Sequence, residues 1–193
     1  MNEVLAELFS SRVRAAVLTL LLPRPHLSFS LTEMSRRLNL PVSSVQHECY
    51  KLARLRLLQH ERAGNVRRYR PDACFPLLTS LTAFTLSAMP LQEALAGAAD
   101  GVSGLEQAWL AGDDGELSYL VAIGNLTIDQ LDGLFTRVRA VLAAHGGTSR
   151  LELAFYPQAE WDRRVAACDP FAVALVNTQQ IVLASAAEIP AIV

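Results

Sequence analysis

Between Leu5 and Arg70 the hydrophobic period switches repeatedly, and each switch is punctuated by a residue that forces it. From Leu5 to Leu22 the apolar residues fall at Leu5, Leu8, Phe9, Val13, Ala16, Val17, Leu20 and Leu21. These helical steps predict one helix with one buried face. Pro23 and Pro25 end it, because neither can continue the hydrogen-bond ladder. Leu27, Ser28 and Phe29 suffice only for a short strand. Ser30 followed by Glu33 has the spacing of a capping box, in which hydroxyl and carboxylate satisfy each other's free amides. The helix it opens should bury Leu31, Met34 and Leu38 and stop at Asn39, which tolerates a left-handed backbone. Pro41 suits the first turn of another helix, whose buried stripe is Val45, Cys49, Leu52 and Leu55. Residues 57–62 and 66–70 are extended around Ala63, Gly64 and Asn65, where Gly and Asn supply the positive φ of a hairpin turn. Tyr69 is expected to pack under that hairpin.

Charge is distributed unevenly over this plan. Residues 1–72 carry twelve Lys and Arg against six Asp and Glu, a net of +6. Residues 73–193 carry five against thirteen, a net of −8. Such asymmetry points to a polyanion at one end only. The helix after Pro41 presents Ser43, Ser44, Gln46, His47, Tyr50 and Lys51 opposite its apolar stripe. Gln can pair with adenine through two hydrogen bonds, Ser reaches either base type, and His and Lys can meet guanine or phosphate. Arg62, Arg67, Arg68 and Arg70 decorate the hairpin, where guanidinium groups would grip phosphates. These ten residues are the candidate DNA-binding set.

Two short helices joined by a tight turn make a helix-turn-helix, and the basic hairpin follows it. The segment from Phe29 to Leu58, then Gly64-Asn65-Val66-Arg67-Arg68-Tyr69, resembles the ArsR/MarR-like winged helix-turn-helix repressors. The resemblance implies a DNA-binding domain over residues 1–72 with double-stranded DNA as its partner. No metal-sensing cysteine motif accompanies it, so the metal-sensing branch is not implied.

Residues 73–99 read as linker or dimerisation helices. Pro76 can start a helix carrying Leu77, Leu78, Leu81, Phe84 and Ala88 as far as Pro90, and Leu91, Ala94, Leu95 and Ala98 continue an apolar face. A homodimer through this stripe, or packing on the following domain, are both open. The glycines between Gly97 and Gly104 suggest a domain junction.

Residues 100–193 read as strand (105–111), tight turn (112–116), strand (117–123), helix (129–145), strand (151–156), short helix (158–167), a helix opened by Asp169-Pro170-Phe171, and a last strand (181–183). That is an α/β domain, and the chain as a whole is α+β. Leu120-Val121-Ala122-Ile123-Gly124, the helix, Phe155-Tyr156-Pro157 with Trp161, and Asp169-Pro170-Phe171 together resemble the minimal nucleotidyltransferase domain of the DNA polymerase beta superfamily. In that family a Gly-Ser ends the first strand, and an Asp-x-Asp before the second holds magnesium for nucleotidyl transfer. Here the first strand ends at Ala111-Gly112, and the aspartate positions fall on Leu117 and Tyr119. The resemblance therefore implies a degenerate domain with no catalytic or metal-binding residues. Asp113, Asp114 and Glu116 read as a solvated turn.

Composition limits the rest. At 51% hydrophobic and 19% charged residues the chain is globular. No apolar run approaches the roughly 20 residues that span a bilayer, and no basic segment precedes an apolar one at the N-terminus, so neither a membrane nor a signal peptide is expected. Cys49, Cys74 and Cys168 are far apart and lack ligand spacing. The expectation is a cytoplasmic, sequence-specific transcriptional regulator without a cofactor and not an enzyme. Its C-terminal domain would serve dimerisation or the sensing of a small-molecule effector. The alternatives are a residual metal-dependent nucleotidyltransferase using Asp113, Asp114 or Glu152, and a protein-interaction adaptor.

Overall fold

The computed structural model describes residues 3–113, 117–147, 150–178 and 180–185. Among them it has nine helices and two sheets, a mixed α+β chain. It divides into two compact units, Met1–Pro90 and Leu91–Val193. The boundary falls inside the predicted 73–99 segment, so its first helix belongs to one unit and its second to the other. The glycines of the predicted 97–104 junction lie within the second unit.

The first unit begins with α1 (Glu3–Leu8) and α2 (Arg12–Leu21), where one continuous helix is predicted. The break is local chemistry. Ser10 takes a left-handed φ of 49°, and the Ser11 hydroxyl accepts from the Arg14 amide at 3.2 Å. A serine that offers the backbone this alternative bond starts a new helix rather than prolonging the old one. Then come β1 (Phe29–Ser30), α3 (Leu31–Leu38), α4 (Val42–Arg54), β2 (Leu58–Ala63), β3 (Val66–Pro71) and α5 (Leu78–Ser87). The capping box is present: the Glu33 amide donates to Ser30 Oγ at 3.2 Å and the Ser30 amide to Glu33 Oε2 at 2.7 Å. Asn39 ends α3 with φ 51°. The strands form one antiparallel sheet in the order β1-β3-β2. Of the two turn residues, only Gly64 has a positive φ (61°), the pattern of a type II′ hairpin rather than positive φ at both positions. The core gathers Val17, Leu21, Met34, Val45, Cys49, Leu52 and Tyr69, with Leu31, Leu38 and Leu78 packed at its margin.

Four residues of this unit predicted on apolar faces are exposed instead, the first being Leu8 of α1 at 61%. Leu55 caps α4 and is 65% exposed, and Glu48 takes the inward place. In α5 the buried residues are Thr85 and Leu86, while Leu77 and Phe84 are exposed.

The second unit runs α6 (Leu91–Ala99), β4 (Leu105–Asp113), β5 (Leu117–Gly124), α7 (Ile128–Ala144), β6 (Arg150–Tyr156), α8 (Gln158–Ala166), α9 (Pro170–Asn177) and β7 (Gln180–Ser185). Its sheet has the order β6-β5-β4-β7. β4 is antiparallel to both neighbours, and β5 runs parallel to β6 through the α7 crossover. Alternation sorts the sheet residues. Trp109, Val121, Ile123 and Ala154 face α8 and α9, with Trp109 against Trp161 at 5.5 Å. Leu110 and Leu120 point to the opposite face, where α6 and α7 pack on each other. Arg137 of α7 donates to the last-turn carbonyl of Ala98 at 2.8 Å and closes the end of α6.

Candidate nucleic-acid interface

The α3–α4 connection is three residues long, Asn39 to Pro41, and is held by backbone geometry. The Leu40 amide donates to Ser35 O at 3.1 Å, and Ser35 Oγ donates to Leu40 O at 2.6 Å. Beyond it, α4 turns Val45, Cys49 and Leu52 inward. Its outward face shows Ser43, Gln46, His47 and Tyr50 exposed, with Ser44 and Lys51 half-buried.

Glu48 explains the half-burial of Lys51. Its side chain is 7% exposed and lies 3.0 Å from both Arg14 Nε and Lys51 Nζ. Burial pushes the Glu48 carboxyl up, but the hydrogen bonds from Lys51 and Arg14 outweigh it and hold the pKa below the ordinary value. A buried carboxylate needs such partners to remain charged. The neighbouring Cys49 thiol donates to Met34 Sδ at 3.9 Å, and burial first, then the Glu48 charge, pushes it up to about 12. The inner half of α4 is thereby fixed by one charge cluster, and Lys51 is committed to it.

The β2–β3 hairpin divides its four arginines. Arg62 and Arg67 sit directly opposite one another near the tip, on the face that carries the His60–Tyr69 and Leu58–Pro71 pairs further down. Arg68 and Arg70 take the other face. Arg68 turns inward: its Nε donates to Ser28 Oγ at 3.1 Å, its Nη2 to the Ser28 carbonyl, and its Nη1 lies 3.1 Å from Glu33 Oε2. It ties the hairpin to β1 and to the capping box of α3. The Glu33 pKa is lowered by the Ser30 backbone amide first, against burial, with the Ser30 hydroxyl and Arg68 adding to the effect. Arg62, Arg67 and Arg70 are exposed, as are Arg54 and Arg56 at the end of α4. None of these five guanidinium groups makes a hydrogen bond or ion pair among the described residues. Arg24 and Arg37, by contrast, are used locally, on the Leu20 carbonyl at 3.1 Å and over the Phe29 ring at 5.1 Å.

Alongside α4 lies a cavity of about 770 Å³, lined by Leu18, Leu52, Leu57, Phe75 and Leu81 and, on the outward side of α4, by His47, Tyr50, Lys51 and Arg54. The candidate metal positions of the second unit do not form a comparable constellation. Tyr119 stacks edge-on against Phe171 at 5.4 Å, and Glu152 pairs with Arg150 at 3.0 Å. Asp114 and Glu116, and the side chains of Asp113 and Leu117, lie outside the described residues. Among the described residues no three His, Cys, Asp or Glu side chains gather at one point.

No family model, curated protein or solved structure matches this chain. Sequence reasoning missed Arg14 and Glu48, and placed Arg68 among the grippers. Arg14 and Glu48, and Arg68 with Ser28 and Glu33, lie more than thirty residues apart, so no local pattern signals those contacts; the Glu48–Lys51 pair is three residues apart on one helix.

Proposed function

We propose that the chain is a cytoplasmic, sequence-specific DNA-binding transcriptional regulator that acts as a homodimer. Its first unit is a winged helix, with α4 reading bases and the β2–β3 hairpin gripping phosphates. The second unit is a nucleotidyltransferase-like module that serves assembly or sensing and does no chemistry. The element order α2-β1-α3-α4-β2-β3 and the β1-β3-β2 sheet support the winged-helix reading. One observation carries it furthest. Arg62 and Arg67 face each other across the hairpin with no acidic partner among the described residues, and like charges directly opposite destabilise a strand pair. A polyanion compensates that repulsion when it binds. The exposed Ser43, Gln46 and His47 provide the uncommitted donors and acceptors that base reading needs. An effector of this regulator would enter the cavity alongside α4, whose apolar walls and lining Arg54, unpaired among the described residues, suit an amphipathic anion.

The test separates readers from grippers on the full chain. Selection of bound genomic fragments supplies a site, and binding to it is compared with binding to a scrambled duplex. Gln46→Ala or His47→Ala should reduce discrimination by about 1–3 kcal/mol at one base position. Arg62→Ala with Arg67→Ala should weaken binding to both duplexes equally. Absence of DNA binding by the unmodified chain would reject the reading and leave the exposed α4 face to a protein ligand.

A further inference from the structure

The sheet of the second unit ends in an edge that no further strand among the described residues covers and whose charges are the mutually paired Arg150 and Glu152. β6 bonds to β5 on one side only. It runs seven residues without Lys, Pro or an irregularity in its register. Natural sheets blunt such edges with those devices, because a row of unpaired amides and carbonyls templates another strand. The face beside the edge is apolar as well. Leu151, Leu153 and Phe155 alternate onto the face that α7 covers, as the pairing of Leu153 with Leu120 requires. With Ile128, Leu131 and Phe135 of α7, Leu151 and Leu153 line a groove of about 580 Å³, which the Asp132 and Glu152 side chains also border. Ile128 is 84% exposed there and Leu153 39%.

We propose that a second copy of this chain fills this edge, β6 pairing antiparallel with the partner's β6 about a two-fold axis through Leu153. In that register all seven residues pair. Leu153 meets the partner's Leu153, and Leu151 meets the partner's Phe155, so one apolar stripe crosses the axis and closes both grooves. On the other face Arg150 meets the partner's Tyr156, a cation beside a ring, and Glu152 meets the partner's Ala154. Neighbouring registers are worse. A two-fold axis through Glu152 sets that carboxylate against its own copy. One through Ala154 draws in Pro157, which has no amide to donate. One through Leu151 overlaps only three of the seven β6 residues, 150–152. The interface is isologous, as a two-fold dimer demands, and it joins two four-stranded sheets into one continuous sheet.

This inference rests on the homodimer reading above and names its surface. The test uses the full chain with Cys74→Ser and Cys168→Ser, which removes the exposed thiols and keeps the buried Cys49. Leu153→Cys is then added, or Leu151→Cys in its place. At the axis the two introduced thiols lie on Cα atoms about 4.5–5.5 Å apart, within disulfide reach. At position 151 the two copies are about 13 Å apart along the strands, beyond that reach. Glutathione disulfide as oxidant should give a covalent dimer from Leu153→Cys and none from Leu151→Cys. In sedimentation equilibrium, Leu153→Arg should raise the dimer dissociation constant at least about tenfold with an unchanged far-UV spectrum. A native chain that stays monomeric at all concentrations overturns both this inference and the homodimer reading. A native dimer that resists Leu153→Arg, or that links equally well from position 151, overturns this surface alone.

Discussion

Glu48 is the residue on which the largest number of local decisions depend. It joins α2 to α4 through Arg14, draws Lys51 off the outward face, and raises its neighbour Cys49. Its lowered pKa fixes the sign of a pH effect. A group whose folded pKa lies below its unfolded value contributes stability above the ordinary carboxylate range and loses it as pH falls through the folded value. Glu48→Gln should therefore cost about 1–3 kcal/mol at pH 7, and the gap to wild type should close as pH falls below about 4.5. Urea unfolding at several pH values checks this; a gap that is the same at pH 7 and pH 3.5 would count against it. A second expectation follows from burial. In the native chain a thiol reagent should modify Cys74 and Cys168, which are exposed, and leave Cys49 until the chain unfolds. What was legible at this scale was local. Ser30 with Glu33, Asn39 and Gly64 act on neighbours within a few residues, so their spacing reveals them. Arg68 acts on Ser28 and Glu33, and Glu48 on Arg14, only because the fold brings them close, and for these contacts the sequence marks both merely as charged; the Glu48–Lys51 pair alone is local.

The β2–β3 hairpin is the element whose stability and proposed function pull in opposite directions. Removing the opposed Arg62 and Arg67 by double alanine substitution should leave the chain as stable or more stable by up to about 1 kcal/mol, while lowering DNA affinity. Arg68→Ala should do the reverse. It cuts the ties to Ser28 and Glu33 and should destabilise the first unit by about 1–2 kcal/mol. Thermal unfolding and DNA titration of the two variants would separate these roles, and equal effects of both on stability would refute the division. The α1–α2 break shows where periodicity misleads. The apolar spacing runs through Ser10 and Ser11 without interruption, so the burial signal is continuous although the backbone is not. In the second unit the helices and strands lie close to their predicted spans, because each carries its own apolar alternation or stripe and ends at a clear turn signal. One constraint there was invisible. At Gly124 (φ 145°) a Cβ would lie 2.1 Å from the Gly104 carbonyl oxygen, a backbone approach that only the paired strands create. Gly124→Ala should destabilise the second unit by about 2–4 kcal/mol.

At the scale of the molecule, the net charges of +6 on residues 1–72 and −8 on residues 73–193 become a division of labour. In the first unit two acids, Glu33 and Glu48, neutralise Arg14, Lys51 and Arg68. Arg54, Arg56, Arg62, Arg67 and Arg70 remain uncompensated at the end of α4 and along the hairpin. On the proposed reading the acidic second unit is repelled by a phosphate backbone, which leaves DNA binding to the first unit. No helix among the described residues is long and apolar enough to cross a membrane. The most direct measurement of the central claim is the salt dependence of duplex DNA binding by the full chain and by Arg62→Ala, Arg67→Ala. Each phosphate neutralised adds about 0.9 to the slope of log affinity against log salt concentration. The wild-type chain should lose affinity steeply between low and moderate salt, and the double variant should show a slope shallower by up to about 2. Equal slopes for the two proteins, or DNA binding that salt leaves unchanged, would contradict the account.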